Sequence, residues 1–213
     1  MKRHTYIISL LLCLLGTIEL SAQKIEEAWM DMPPHITPYI GQGALLDMID
    51  LYNAGMKACA STFTGDTAQL YTLGDTYLHM RTSRASTLQI KQIKEGKKTL
   101  YVVITTIEGP VPNSHIDLYD EHWQLTTKPQ RFTPVTVADF IDPQKKKRKE
   151  RELLVKQITL PTIQYSMCEP TNDIIATPSF MQTLDEETRL NIQENFYQQL
   201  ILQWKRGKWK INK

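Results

Sequence analysis

Between residues 115 and 122 the chain gathers His115, Asp117, Asp120, Glu121 and His122. A metal site needs three or four such groups converging on one point. His115 and Asp117, two apart, share one face of a strand, whereas Asp120 to His122 fall in an expected turn, where acidic and polar residues occur for backbone reasons. The reading is turn chemistry, and no metal ligand is assigned. Asp47 and Asp50 stand three apart on an expected helix, the spacing that presents two carboxylates as general acid and base. They lie opposite the apolar stripe Leu45, Met48, Ile49, Tyr52 and Met56, where solvated charges belong. Nucleophile motifs are absent: there is no Gly-x-Ser-x-Gly, no Ser-x-x-Lys suited to an acyl enzyme and no His-Glu-x-x-His. Nine glycines, none clustered, leave little room for a phosphate cradle. No catalytic residue and no cofactor is assigned.

Two features have binding character. The run Lys145-Lys146-Lys147-Arg148-Lys149-Glu150-Arg151 can grip lipid head groups or acidic polysaccharide, each cation being worth about 1 kcal/mol near a charged membrane. As an ordinary solvated loop, it would instead join two structured halves. Trp204 and Trp209 flank Arg206-Gly207 amid lysines, a combination able to stack on sugars or peptide, although cross-strand aromatic pairs also stabilise hairpins with no ligand. The candidate ligand-binding residues are therefore Trp204, Trp209, Lys145, Lys146, Lys147 and Arg148. A catalytic alternative requires His79, His115 and Asp117 to meet in one concave pocket.

The elements that must position these groups follow from periodicity. Ile25, Ala28, Trp29 and Met32 recur at helical spacing up to Pro33-Pro34, and the stripe from Leu45 to Met56 marks a second helix. From about Ala68 the period becomes two. Alternation at Leu78/Met80, Leu88/Ile90 and Ile116/Leu118 predicts strands with one wet face, and Leu100 to Ile107, apolar on both faces, predicts a central strand. The connections Glu95-Gly96-Lys97 and Gly109-Pro110-Val111-Pro112-Asn113 are short enough for antiparallel neighbours. Thr136 to Phe140 reads as a short capped helix, Leu153 to Leu160 as another strand, and Thr183 with Glu186 as a capping box for a helix from Leu184. The chain closes in a hairpin of Leu200 to Lys205 and Lys208 to Ile211, with Leu200, Leu202 and Trp204 on one face. This order predicts an α+β fold: an antiparallel β-meander packed against short N-terminal helices and ending in a β-hairpin.

Lys2, Arg3 and His4, an apolar stretch from Tyr6 to Leu15, and Leu20-Ser21-Ala22-Gln23 form the signal-peptide pattern, with cleavage expected after Ala22. That stretch falls short of the roughly 20 residues that span hydrocarbon, and no later segment approaches that length. Leu12 before Cys13 does not fit lipidation, so Cys13 leaves with the leader. The expectation is residues 1–22 as signal peptide and 23–213 as one α+β domain. Two similar halves, with a boundary near 143–152, are the alternative organisation. The 213 residues are 41% hydrophobic and 23% charged with a net charge of +2, a composition that excludes disorder and offers no global reason to expect nucleic acid. Cys59 and Cys168 could pair in an oxidising compartment or stand as two unrelated thiols, and the expectation is that they are unpaired.

Ala28-Trp29-Met30-Asp31-Met32-Pro33, Pro38-Tyr39-Ile40, Leu45-Leu46-Asp47-Met48-Ile49-Asp50 and Met56-Lys57 resemble an uncharacterised family of secreted Bacteroidales proteins. The resemblance extends through Thr72-Leu73-Gly74-Asp75-Thr76-Tyr77-Leu78, Ala85-Ser86-Thr87-Leu88, Trp204 and Gly207-Lys208, and is loosest from Pro129 to Pro178. It implies compartment and lineage and carries over no catalytic residue. The functional expectation is a periplasmic or extracellular, non-enzymatic binding or assembly module whose partner is an envelope protein or glycan. An envelope hydrolase, or a polysaccharide or lipid-surface binder, is the alternative.

Overall fold

A computed structural model describes residues 25–126 and 131–212. The expected signal peptide lies outside the described residues. The element order is α1 (Ile25–Met30), α2 (Gln42–Asn53), β1 (Cys59–Ser61), β2 (Thr67–Leu73), β3 (Tyr77–Ser83), β4 (Ser86–Glu95), β5 (Lys98–Ile107), β6 (Asn113–Asp120), α3 (Val137–Phe140), α4 (Arg148–Gln157), β7 (Gln164–Met167), β8 (Ile174–Thr177), α5 (Glu186–Ile192), β9 (Leu200–Lys205) and β10 (Lys208–Asn212), with short 3-10 turns at Pro34–Ile36, Ser179–Thr183 and Gln193–Asn195. The fold is α+β and wholly antiparallel: a six-stranded meander in the order β1 to β6 and a four-stranded sheet in the order β10-β9-β8-β7.

The long central strands explain the layering. Along β4 and β5 successive side chains point to opposite faces, and both faces are covered, apolar throughout the middle of β5 and interrupted on β4 by the buried Gln89, Lys91 and Gln92. Leu88, Ile90, Tyr101 and Val103 pack with Ile25, Trp29, Leu45 and Met48 of α1 and α2. Ile93, Leu100, Val102 and Ile104 pack with Tyr165, Met167, Ile174, Leu200, Leu202 and Trp209 of the second sheet. The meander is thus the middle layer, between helices and the smaller sheet. That second core contains residues from both sides of the 143–152 segment.

The N-terminal helices are held by a turn as well as by area. Asp120 Oδ1 accepts from the backbone N–H groups of His122 and Gln124 at 2.9 Å each. The turn places Trp123 at φ 56, stacks its ring on Tyr101 at 4.3 Å, and lets its Nε1 donate to the Ala28 carbonyl at 3.1 Å. Asp120 thus serves the turn by backbone capping.

Two expected elements differ. Leu153 to Leu160, expected as a strand, lies largely in α4, because Leu154, Val155 and Ile158 also fit a helical face and the preceding residues are strong helix formers. Glu150 Oε2 accepts from the Lys147 N–H and Arg148 pairs with Glu152 one turn on, so the basic run begins a helix and is no simple loop. The Thr183–Glu186 capping box does not form. Thr183 Oγ1 donates to the Phe180 carbonyl, and Asp185 caps α5 by accepting from the Thr188 N–H at 2.8 Å. The Thr136–Asp139 box does form, at the start of α3.

Candidate functional site

An isolated antiparallel bridge between Ile141 and Phe196 brings the turn after α3 against the segment after α5. The Asp142 N–H donates to the Asn195 carbonyl and the Tyr197 N–H to the Phe140 carbonyl. Asp142 then shapes the turn by accepting from the Gln144 N–H at 2.9 Å, and Lys145 emerges with its Nζ donating to the Glu194 carbonyl at 2.6 Å. Between this turn, the end of β8 and α5 lies a cleft of about 550 Å³ lined by Lys145, Thr177, Pro178, Met181, Gln182, Arg189, Gln193, Glu194, Phe196, Tyr197 and Gln198. Arg189, on α5, is partly buried and makes no ion pair among the described residues. Burial pushes the Tyr197 hydroxyl above its usual range, helped by the Asp142 carboxylate; it stays a neutral donor at physiological pH.

In this cleft two cations, a phenol and three side-chain amides supply directional donors, and Met181, Pro178 and Phe196 supply an apolar wall, the mixture usual in small-ligand sites. Glu194 is the one carboxylate among the lining residues, and no nucleophile and base are paired there. Of the six expected ligand-binding residues only Lys145 reaches the cleft. Lys146, Lys147 and Arg148 stay outside it, Lys147 at the cap of α4 and Arg148 beside Glu152. Arg189, Tyr197 and the glutamines carried no motif; only the pairing of distant segments brings them together.

In the hairpin the indoles turn inward. Trp204 and Trp209 are directly opposed across β9 and β10 with ring centroids 4.2 Å apart. Trp209 is 6% exposed and its Nε1 donates to the Asn172 carbonyl at 2.8 Å, while Trp204 is partly buried against the same core. The outward face carries Lys205, Arg206, Lys208 and Lys210, which surround a hollow of about 500 Å³. Arg206 and Gly207 occupy the turn at φ 53 and 79, the two positive values a two-residue type I′ hairpin requires.

The histidines and carboxylates do not converge. His79 opposes Gln89, which opposes Ile104, so its side chain shares the face of the second core. His115 opposes Thr105, which opposes Leu88, and lies with Asp117 on the other face. His115 Nε2 and Asp117 Oδ1 are 3.0 Å apart at the exposed rim. Among the described residues no group of three or more His, Cys, Asp or Glu side chains could hold a metal ion. Asp47 and Asp50 are exposed on α2 beside a shallow hollow with Met56 and Cys59. Cys59 and Cys168 are both free.

A buried polar seam instead joins the two sheets. Gln89 Oε1 accepts from the Tyr77 hydroxyl at 3.1 Å and the Met167 N–H at 2.9 Å. Lys91, 5% exposed, donates to Thr76 Oγ1 and to the Glu169 carbonyl. Burial lowers the Lys91 amine below its usual range against the raising effect of Glu169 and Cys168, and burial with the Glu169 charge pushes Tyr77 up to about 12. These groups are engaged across the interface between sheets.

A meander covered by helices on one face and a second antiparallel sheet on the other, with a polar cleft beside that second sheet, defines a layered α+β fold. The chain belongs to the family described as "Protein of unknown function (DUF3256)", whose model matches residues 17–209. It is also similar in fold to a solved domain of an uncharacterized protein from Porphyromonas gingivalis W83, a Bacteroidales organism, with a TM-score of 0.77 and 19% identity over 90% of this chain and 98% of that one. No curated protein matches. No helix among the described residues is long and apolar enough to cross a membrane.

Proposed function

We propose that this protein is an exported, non-enzymatic binding module that takes a small anionic ligand, or an acidic segment of an envelope partner, in the cleft between Lys145 and Arg189. The observation that carries this reading is Arg189 itself: a partly buried guanidinium with no carboxylate partner among the described residues, facing a cleft whose other cation is Lys145. A partly buried guanidinium without a counter-charge gives up some of its hydration uncompensated, and an incoming carboxylate or phosphate supplies the bidentate partner its geometry favours. Export rests on the basic, apolar and small-residue order of residues 1–22, and the mature chain then begins at Gln23, which N-terminal sequencing of envelope material tests.

The binding test is a thermal-shift screen against carboxylates, phosphate esters and sulfated sugars, repeated on Arg189→Glu and Lys145→Glu. At least one anion class raises the melting temperature of the native protein, and each charge reversal removes the shift. Anion stabilisation that survives both reversals places the site elsewhere, and turnover of a stabilising ligand contradicts the non-enzymatic reading.

A further inference from the structure

From the hairpin geometry we infer a second site: the outward face of β9 and β10 docks the protein on the anionic surface of a phospholipid bilayer. Lys205, Arg206, Lys208 and Lys210 are all exposed and ring one hollow, and none of them forms an ion pair among the described residues. Lys205 and Lys208 are directly opposed in the ladder, an arrangement in which like charges repel and destabilise the strand pair. The nearby acid does not relieve them. Glu95 holds Arg131 at 2.6 Å, and Arg131 in turn accepts the Trp209 N–H on its carbonyl. That contact fixes the hairpin on the body of the protein and leaves four cations facing outward from a rigid platform.

What the face lacks selects the occupant. Both indoles are on the opposite side of the hairpin, so there is no aromatic shelf for sugar stacking, and the amides on the cationic face are Gln203 and Asn212. Point charges on flexible stems recognise a surface of charge better than a ligand of defined shape. Ile201, 39% exposed on the same outward face, adds the apolar contact that interfacial binding uses. The fit is therefore to a bilayer rich in anionic headgroups.

The site is independent of the cleft, and the test keeps the two apart. Vesicle flotation is measured with phosphatidylcholine alone and with mixed phosphatidylglycerol–phosphatidylcholine vesicles, at low and high salt. The variants are Lys208→Gln/Lys210→Gln, Lys147→Gln/Arg148→Gln and Arg189→Glu, each checked by circular dichroism. The native protein floats with the anionic vesicles at low salt only. The hairpin variant loses roughly fivefold in partition for each charge removed, while the other two float as the native chain does. Failure to float with anionic vesicles, equal flotation with neutral ones, an undiminished hairpin variant, or an equal loss in the α4 variant overturns the proposal. So does tighter binding of polygalacturonate than of vesicles by the same face, which would make the ligand a glycan.

Discussion

Removing Trp209 should unfold the protein far more readily than removing Trp204, although the two are cross-strand partners. Trp209 is 6% exposed, meets Phe132 edge-on at 6.2 Å and donates to Asn172. Trp209→Ala therefore sacrifices a full aromatic burial, about 3–5 kcal/mol. The abandoned Asn172 carbonyl is partly exposed and regains water, adding little. Trp204 is only partly buried against the same core, so Trp204→Ala costs about half as much, roughly 1.5–2.5 kcal/mol. In a domain of this size 1 kcal/mol moves the melting temperature by roughly 2–4 °C, which places the two variants several degrees apart. With centroids 4.2 Å apart, the pair should show a coupling of roughly 0.5–1.5 kcal/mol in a double-mutant cycle. Urea unfolding followed by far-ultraviolet circular dichroism is the assay, because tryptophan emission changes with the substitutions themselves. A cost for Trp209→Ala below about 1 kcal/mol, or a Trp204→Ala cost equal to or above it, refutes the inward-facing assignment.

Burial lowers the His79 imidazole below its ordinary value, partly opposed by Glu108. The unfolded chain then binds the proton more readily, stability falls as pH drops below the unfolded value near 6.5, and His79→Gln should flatten the melting temperature between neutral and mildly acidic pH; an unchanged profile contradicts this. Gly207 sits at φ 79, where a Cβ would also lie 3.1 Å from Glu95 Oε1, so Gly207→Ala should cost about 1–3 kcal/mol by denaturant titration, and a neutral result would show that the type I′ turn is not required. Thiol labelling under denaturing, non-reducing conditions should modify both Cys59 and Cys168, which are free; labelling of neither would reveal a disulfide.

Much of the meander was legible because apolar residues recur at two-residue spacing and hairpin tips carry their own chemistry, Gly96 at φ 62 in the meander and Arg206-Gly207 in the second sheet. The expected wet face of the Leu88/Ile90 strand is nevertheless covered, with Gln89 and Lys91 buried against the second sheet. The double apolar face of Leu100 to Ile107 likewise identified the middle of the layers. Strands β7 and β8 escaped notice, being four residues each, although Ile163, Tyr165 and Met167 alternate with polar neighbours on one side of the Thr171–Asp173 turn. Leu153 to Leu160 misled because a short apolar run fits either period, and the deciding signals lay earlier, in the Lys147–Glu150 cap and the Arg148–Glu152 pair. Of the cleft, Lys145 alone was foreseen. Arg189 lies 44 positions along the chain from it, and only the Ile141–Phe196 bridge brings their segments side by side, a pairing too short to leave a periodic signal. The inward orientation of the indoles was legible alongside their reading as ligand candidates, since Leu200, Leu202 and Trp204 share one apolar face with Trp209 and Ile211 opposite, and such a face needs a cover.

The most direct test of the binding reading is nuclear magnetic resonance of the isotope-labelled mature chain, titrated with the anion that gives the largest thermal shift. The side-chain amides of Gln182, Gln193 and Gln198 and the Nε–H of Arg189 should move together along one saturating curve, with the ligand recovered chemically unchanged. Shifts centred on the hairpin lysines or on the His79 face, or a ligand consumed during the titration, would contradict it.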